Sequence, residues 1–252
     1  MTPASPFQID GPAVVEFSGG RTSAYMLRRI LDEGLRPDVY VLFADTGKER
    51  QETYRFVLDV AFTWRVEIHW VCRPGYFDQL ITDRRCLPNP AQRWCTQELK
   101  IRPMAEFMRA RGFANWTMCV GLRADEPRRI AKAREREASN KDPWDIALPL
   151  ADAGATVADV AAFWRAQPFD LELRPHEGNC DLCFLKHPRK RAAIARDRPD
   201  LWQWWIDQER RMGQTFRLDT PEYAHLLDQL DLFAAAPLSD EDHDLIECHC
   251  HD

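Results

Sequence analysis

The 252-residue chain contains no apolar run of about 18 residues, so we expect no membrane-spanning helix. Its first residues do not place a basic segment before an apolar one, so we expect no secretory signal and a cytoplasmic protein. A formal net charge of −6 excludes an overall basic nucleic-acid footprint, although local basic patches remain. Internal repeats and low-complexity tracts are also absent. With 45% hydrophobic and 29% charged residues, the composition predicts a globular protein.

Cysteine, in contrast, is abundant, with eight residues in the chain. In the cytoplasm these thiols stay reduced. Cys119 falls in a predicted strand and Cys72 directly follows one, and both are assigned to the core. The remaining cysteines are Cys86, Cys95, the Cys180-Asp-Leu-Cys183 pair and the Cys248-His-Cys250 pair. Close pairs of this kind indicate metal or redox chemistry more than a disulfide framework.

Short β-rich runs alternate with helical patterns in the first two thirds of the chain. Strands are predicted at 13–17, 39–44, 66–71, 116–122 and 146–150, and helices near 23–33, 50–61, 97–111 and 156–167. This alternation predicts an α/β fold, in which a parallel, Rossmann-like sheet carries helices on both faces. Helical patterns and late cysteines follow residue 170. We therefore divide the chain into an α/β domain, residues 1–170, and a helical cysteine-bearing region, residues 171–252.

The junction between the first strand and the first helix has the composition of an anion site. Glycines there allow backbone N–H groups to turn toward a phosphate, and the helix N-terminus adds positive potential. The candidate residues are Ser18, Gly19, Gly20, Arg21, Thr22 and Ser23. No Gly-Lys-Ser/Thr follows at the Walker spacing. An ordinary strand-to-helix turn is the alternative, but parallel sheets bind ligands at this end of their strands, which favours a phosphate or pyrophosphate site.

Four segments carry a family resemblance. The segment FSGGRTSA, residues 17–24, resembles the PP-loop of the adenine nucleotide α-hydrolase-like superfamily, which includes ATP pyrophosphatases, tRNA thiolation enzymes and sulfonucleotide reductases. Three further segments resemble the phosphoadenosine phosphosulfate reductase family: FADTGKERQETYRFV at 43–57, RWCTQELKIRPM at 93–104 and GLRADEPRR at 121–129. Their order and spacing agree over residues 13–185. The resemblance implies an adenine-nucleotide-dependent enzyme, and makes residues 1–170 a PP-loop nucleotide-binding domain.

The resemblance also implies roles for single residues. Residues 18–23 would hold the nucleotide phosphates, and Asp45 would meet the ribose, the base or Mg²⁺. Lys100 and Arg123 would neutralise phosphate or sulfate charge, and we count both as candidate catalytic residues. A guanidinium suits such oxyanions because it donates two parallel hydrogen bonds. The alternative for a single cation is a solvated surface position, and Arg123 is less suited to it because it follows a predicted strand.

The cysteines imply a metal centre within the same resemblance. In the iron–sulfur branch of the family, a Cys-x-x-Cys pair corresponds to residues 180–183 of this chain, and a Cys-Cys pair corresponds to Trp94-Cys95. A tryptophan thus replaces one of these cysteines here, so one ligand is missing. A [4Fe–4S] cluster takes four thiolates. We expect them to be Cys95, Cys180, Cys183 and Cys250, with Cys248 and Cys86 as other candidates for the fourth. A cluster held by three cysteines, with one iron left open for a sulfur or a substrate as in thiolation enzymes of the superfamily, is one alternative. Zinc on the two late pairs and no metal are the others.

The last residues allow two roles for Cys248. The sequence Glu247-Cys248-His-Cys250-His resembles the Glu-Cys-Gly-Leu/Ile-His tail of sulfonucleotide reductases, whose cysteine attacks sulfur. Here His249 replaces the glycine and a second cysteine follows it. Cys248 is therefore a candidate nucleophile and equally a candidate ligand, whereas Cys250 fits a ligand better. A frayed terminus is the third interpretation.

Three functions follow from these expectations. The first is an ATP-dependent enzyme of the ATP pyrophosphatase type, which adenylates a nucleobase or nucleic-acid acceptor and transfers sulfur from a donor with the aid of Mg²⁺ and an iron–sulfur cluster. The second is a sulfonucleotide reductase that releases sulfite through Cys248 and a thioredoxin-like reductant. The third is a nucleotide-binding iron–sulfur subunit of a nucleic-acid modification system. The complete PP-loop favours the first function, and a homo-oligomer is expected.

Overall fold

A five-stranded, all-parallel sheet forms the centre of the computed structural model, which describes residues 5–174, 176–220, 222–226 and 228. The strands are β1 (Ala13–Glu16), β2 (Val39–Asp45), β3 (Ile68–Cys72), β4 (Trp116–Cys119) and β5 (Trp144–Ala147). They lie in the order β3-β2-β1-β4-β5 and every neighbouring pair is parallel. The predicted α/β fold with a parallel sheet is confirmed.

The described helices occupy both faces of this sheet and the C-terminal region. They are α1 (Arg21–Glu33), α2 (Gln51–Trp64), α3 (Tyr76–Arg84), α4 (Trp94–Thr96), α5 (Arg102–Ala110), α6 (Pro127–Ala138), α7 (Pro149–Asp152), α8 (Val157–Arg165), α9 (Pro188–Asp197) and α10 (Pro199–Met212). A π-helix, Gln97–Ile101, joins α4 to α5, and a 3₁₀ turn covers Tyr223–His225. Within the described ranges, every helix is too short or too polar to cross a bilayer.

The strand order places a topological switch between β1 and β4. The chain builds outward from β1 through β2 to β3, then returns to the other side of β1 with β4 and β5. In open parallel sheets the connections leave in opposite directions at such a point, which opens a crevice at the carboxyl ends of the strands. The fold therefore brings the loops after β1 and β4 to the same crevice.

Two apolar clusters cover the two faces of the sheet. Successive strand residues point to opposite faces, so Val15 packs in the cluster that includes α1, α2 and α8, whereas Val14 packs in the cluster that includes α5. Helix α6 contributes only partly buried residues to the second cluster. Ile130 is its one large aliphatic residue among many charged ones, so the apolar pattern was too sparse for this helix to be predicted from the sequence.

The C-terminal helices have an apolar cluster of their own. Trp205 of α10 is fully buried, stacks on Tyr223 with ring centroids 5.2 Å apart, and donates its indole N–H to Asp181 at 2.9 Å. Phe77 of α3 and Trp94 of α4 belong to the same cluster. The predicted helical, cysteine-bearing character of this region is confirmed for its described part. The division of the chain at residue 170 stays a prediction.

Two phenylalanines on α2 test the packing of the sheet. Phe56 is fully buried and its ring lies 5.0 Å from that of Trp164, whereas Phe62 is 87% exposed. We expect Phe56→Ala to lower the free energy of unfolding by about 3–5 kcal/mol because it removes a buried ring and leaves a cavity. The same change at Phe62 should cost less than about 0.5 kcal/mol. Urea denaturation of both variants measures the difference, and equal losses would contradict the assigned core.

Candidate functional site

The loop after β1 has a backbone that only glycine can supply. Gly19 has φ +74°, and a Cβ there would lie 2.5 Å from Thr53 Cγ2 and 3.1 Å from Phe43 Cε2. Beside it, the hydroxyl oxygens of Ser18 and Ser23 are 3.0 Å apart, and the Ser23 hydroxyl donates to the Gly20 carbonyl at 3.0 Å. Gly20 is the N-cap of α1 and brings no side chain to the first N–H groups of the helix. Hydroxyls and helix N–H groups thus meet at the carboxyl end of β1.

Arg21 belongs to this loop in sequence but has a partner elsewhere. Its guanidinium donates two bonds of 2.7 Å to the carboxylate of Asp170 and a third of 3.2 Å to the Leu173 carbonyl. The Trp164 indole donates to the Arg21 carbonyl at 2.9 Å. These contacts fix the start of α1 to the chain around residue 170. A direct role for Arg21 in phosphate binding stays a prediction.

Arg123 reaches the same loop from the other side of the switch. It lies just beyond β4, is largely buried, and donates to Thr22 Oγ1 at 3.3 Å and to Asp125 Oδ1 at 2.9 Å. Two residues earlier, a Cβ at Gly121 would lie 3.3 Å from the Ser23 Cα, so the two loops are in close contact. The sequence placed Arg123 at the end of a strand, and the structure places its guanidinium beside the loop of residues 18–23.

Asp45 ends β2 at the same edge of the sheet. Its Oδ1 accepts from the Tyr54 hydroxyl at 2.7 Å and from the Gly47 amide at 2.9 Å. Burial, and then the bond to Asp45, raise the pKa of Tyr54 well above its ordinary value. The charge of Asp45, followed by that of Cys72, raises the pKa of Tyr76. The two tyrosines keep their protons at neutral pH and surround the carboxylate with hydroxyl groups.

The assignment of Cys72 to the core was wrong. Cys72 is exposed, whereas Cys119 is fully buried, and burial raises the pKa of the Cys119 thiol to about 12. β3 is an edge strand and Cys72 is its last residue, so its side chain lies at the rim of the sheet near Asp45. Neither Tyr54 nor Tyr76 was predicted from the sequence as a site residue. Tyr54 follows β2 and Tyr76 follows β3, and this position after a strand was the one signal that could have identified them.

Lys100 lies in the π-helix between α4 and α5, a type of distortion that is frequent at functional sites. Its ammonium group is 3.7 Å from the carboxylate of Glu49, which is buried and accepts from Thr46 Oγ1 at 2.9 Å. Glu49 thus orients Lys100 from the segment that follows β2. The predicted association of Lys100 with a bound phosphate stays a prediction.

The loop that carries Cys180, residues 177–183, docks on the segment after β2. The Arg50 amide donates to the Asn179 carbonyl at 2.8 Å, and Cys180 forms an antiparallel bridge with Glu49. A buried ion pair of 3.0 Å joins the Arg50 guanidinium to Glu177. Asn179 also reaches back to the first loop through its side chain, which donates to the Ser18 carbonyl at 2.8 Å. The loop of Cys180 and the loop of Ser18 therefore share a hydrogen bond.

The described cysteines that were predicted as iron–sulfur ligands all belong to, or pack against, the apolar cluster of the C-terminal helices. Cys183 lies inside the C-terminal cluster, and Cys95, Cys180 and Cys86 pack against it. In the part of the chain that the structure describes, no group of three or more Cys, His, Asp or Glu side chains is arranged to hold a metal ion. Cys248 and Cys250 lie outside the described residues.

The charges around these cysteines fit an anionic group. Lys186, Lys190 and Arg191 are all buried, at 2%, 3% and 0% exposure. The Lys186 ammonium donates to the Cys180 carbonyl at 2.6 Å. Arg191 donates through Nη2 to Thr220 at 2.8 Å, while its Nε and Nη1 find no hydrogen-bond partner among the described residues. The buried Nε and Nη1 of Arg191 therefore suit an anionic acceptor, since a buried donor without a partner costs free energy.

A cavity of about 140 Å³ lies between the sheet and α6. Its walls are mostly apolar, with charged groups from β1 and α6: Glu16, Ile101, Met118, Val120, Leu122, Lys132, Ala133, Arg136, Trp144 and Ile146. Ile101 follows Lys100 and Leu122 precedes Arg123 in the chain, so the cavity borders the crevice at the switch point. Its size fits about one aromatic ring.

Comparison with known proteins identifies one family and several relatives. The model of the phosphoadenosine phosphosulfate reductase domain matches residues 12–168. The uncharacterized nin region protein ORF290 of Escherichia phage lambda is 32% identical, over 75% of this chain and 71% of its own length. The uncharacterized protein MJ0066 of Methanocaldococcus jannaschii is 25% identical, over 84% of this chain and 44% of its own length.

Two solved structures resemble the fold more distantly. The phosphate complex of phosphoadenylyl-sulfate reductase from Candida auris has a TM-score of 0.46 and 17% identity, and the match covers 67% of this chain and 83% of that one. The U34-tRNA thiolase NcsA from Methanococcus maripaludis, with its [4Fe-4S] cluster, has a TM-score of 0.45 and 14% identity, over 98% of this chain and 77% of that one.

Gly19→Ala tests the close contact in the loop after β1, and Gly11→Ala is its matched control. Gly11 has φ +79° but open space around its Cα, so both changes carry the cost of a left-handed alanine, about 1–2 kcal/mol. Only Gly19→Ala adds the clash with Thr53. We expect the Gly19 variant to lose at least about 1 kcal/mol more in urea denaturation, since small-to-large changes at packed sites cost about 1–3 kcal/mol. Equal losses would show that this loop tolerates a side chain.

Proposed function

We propose an adenine-nucleotide-dependent sulfur-transfer reaction for this chain, which belongs to the phosphoadenosine phosphosulfate reductase domain family of the PP-loop superfamily. One observation carries the proposal. The loop of Cys180 is bonded to the loop of Ser18 through Asn179, so a nucleotide held by residues 18–23 and a sulfur centre at the cysteines share one crevice. A shared crevice is what a reaction between a nucleotide and a sulfur species requires.

The first part of the proposal concerns nucleotide binding. The helix N–H groups and the hydroxyls of Ser18, Thr22 and Ser23 bind the phosphates, and Mg²⁺ screens their charge. Lys100 and Arg123 approach from opposite sides of the switch and stabilise the charge that develops on the leaving pyrophosphate. Asp45, at the end of β2, meets the ribose, the base or Mg²⁺.

The reaction has two displacements. An oxygen of the acceptor attacks the α-phosphorus of ATP, the bond to the β-phosphate oxygen breaks, and pyrophosphate leaves. A sulfur nucleophile then attacks the activated carbon of the acceptor, the carbon–oxygen bond breaks, and AMP carries that oxygen away. A nucleobase, free or in a nucleic acid, is the acceptor class. The apolar cavity beside Lys100 and Arg123 is the proposed place for its ring.

The cysteines supply the sulfur side of this reaction. Cys95, Cys180 and Cys183, with Cys250 as the fourth, would hold a [4Fe–4S] cluster. When bound, such a cluster would supply an iron to carry the sulfur only where that iron is free of a thiolate, so Cys95, Cys180 and Cys183 would be the permanent ligands and Cys250 would give way to the sulfur. The buried Lys186 and Arg191 offset its negative charge, and the apolar cluster around Trp205 excludes water from it.

Sulfonucleotide reduction is the second candidate, because the matching family model is that of a sulfonucleotide reductase domain. In that reaction the Cys248 thiolate attacks the sulfur of an adenylyl sulfate, the sulfur–oxygen bond breaks and the adenosine phosphate leaves. A thioredoxin-like dithiol then attacks the cysteine sulfur and releases sulfite. A third candidate is a nucleotide-binding subunit of a nucleic-acid modification system, which would bind nucleotide but turn it over only with partner proteins.

Calorimetric titration of anaerobically purified protein distinguishes these functions. We expect Mg-ATP to bind, and adenylyl sulfate and its 3′-phosphorylated form to bind at least tenfold more weakly. The same protein should contain iron and acid-labile sulfide. Preferential binding of either sulfonucleotide would contradict the ATP-dependent function and favour reduction through Cys248. Binding of none of the three would contradict both enzymatic functions.

Lys100→Gln tests the proposed stabilisation of the leaving group. Gln keeps a hydrogen-bond donor beside Glu49 but removes the charge, so we expect the fold to persist. The rate of pyrophosphate release should fall about 10²- to 10³-fold, the usual cost of one oxyanion-stabilising donor. Lys141→Gln makes the same change at an exposed position and should leave the rate unchanged. Equal rates in both variants would remove Lys100 from the reaction.

A further inference from the structure

We propose that Asn179 is a positioning residue that couples the occupancy of the phosphate loop, residues 18–23, to the order of the cysteine loop, residues 177–183. The inference rests on the proposed binding of a nucleotide at residues 18–23. It adds a link between the two loops. Phosphate binding at one loop would set the order of the other.

The side chain of Asn179 makes the contact to the phosphate loop. Its Nδ2 donates to the Ser18 carbonyl at 2.8 Å and lies 3.4 Å from the Ser18 hydroxyl. A Cβ at Gly20 would lie 3.0 Å from the same Nδ2, so the amide lies flat against the loop. Any rotation of the Ser18–Gly20 backbone therefore moves or breaks this hydrogen bond.

The backbone of Asn179 is fixed independently of its side chain. Its carbonyl accepts from the Arg50 amide at 2.8 Å, and Thr53 Oγ1 is 3.5 Å away. Two residues later the Asp181 amide donates to the Lys48 carbonyl at 3.0 Å. Residues 48–53 thus hold the cysteine loop at one end, and the Asn179 side chain holds it at the phosphate loop.

The two attachments meet at Thr53. Its methyl group packs on Gly19, where a Cβ would lie 2.5 Å from Cγ2, while its hydroxyl lies near the Asn179 carbonyl. Direct contacts therefore connect the phosphate loop, which contains Ser18, to the segment after β2 and to the cysteine loop, which contains Cys180. Through these contacts a restraint on one loop can reach the other, which is the proposed basis for coupling between the two sites.

This geometry has a thermodynamic consequence. Phosphates that bind residues 18–23 would restrict the motion of the Ser18 carbonyl. The side-chain amide of Asn179 donates to that carbonyl, so its motion would be restricted as well. If phosphate binding stabilises the cysteine loop in the arrangement described above, then that arrangement must favour nucleotide binding by the same factor. Removing the Asn179 amide breaks the link and leaves the phosphate ligands themselves in place.

Hydrogen–deuterium exchange of the anaerobically purified protein tests the link without relying on turnover. With saturating Mg-ATP, we expect the backbone amides of residues 178–183 to exchange about five- to 150-fold more slowly, the range of typical coupling. In Asn179→Ala, Mg-ATP should still bind, as measured by calorimetry, but its effect on these amides should fall below about twofold. Protection of residues 18–23 by Mg-ATP should persist in this variant.

Asn179→Asp provides a second variant in case the alanine variant does not fold. Aspartate has the same shape but cannot donate to the Ser18 carbonyl, so the nucleotide effect should be lost in the same way, measured at a Mg-ATP concentration that saturates the variant despite repulsion between its added charge and the phosphates. Asn140→Asp makes the same charge change at an exposed position and should behave as the wild type.

The outcomes separate the two proposals. Wild-type protein that binds Mg-ATP without slower exchange at 178–183 overturns the coupling alone. Slower exchange that persists in both Asn179 variants overturns Asn179 as the link. Absence of any nucleotide binding overturns the coupling together with the proposed function.

Discussion

The buried ion pair between Arg50 and Glu177 joins the two halves of the candidate site. Its atoms are 3.0 Å apart and both side chains are nearly inaccessible to water. A charge left alone in such a place costs about 3–5 kcal/mol, so the pair strongly disfavours separation of the cysteine loop from the segment after β2. Because that segment also packs on Gly19, the position of the cysteines is fixed relative to the phosphate loop.

The sheet topology supplies the other constraint. With β1 and β4 adjacent and their connections leaving in opposite directions, Ser23 and Arg123 meet at one crevice although a hundred residues separate them. Anion-binding groups gather there because helix N–H groups and strand ends both point to this edge. The cations Lys186, Lys190 and Arg191 on the cysteine side are almost fully buried, and Arg123 on the other side is largely buried too. In the proposed reaction the nucleotide lies beside Arg123 and the sulfur lies beside the cysteines.

The sequence predicted the features that local chemistry determines. The parallel sheet followed from alternating apolar runs. Phosphate binding at residues 18–23 was inferred from glycines between a strand and a helix and stays a prediction. Helix α6 was missed because charged residues dominate its sequence and none of its residues is fully buried. The partner of Arg21 and the contact of Asn179 were not predictable, since each depends on residues about 150 positions away. No periodicity or spacing encodes such a contact; only the packing of the folded chain does.

The central claim is that one crevice holds the nucleotide phosphates beside the cysteine loop. A crystal structure of the anaerobically purified protein with Mg²⁺ and a non-hydrolysable ATP analogue tests it most directly. The account predicts phosphate density against residues 18–23, with Lys100 and Arg123 flanking it and the Asn179–Ser18 bond intact. Phosphates bound elsewhere, or at residues 18–23 with the cysteine loop displaced from Ser18, would contradict it.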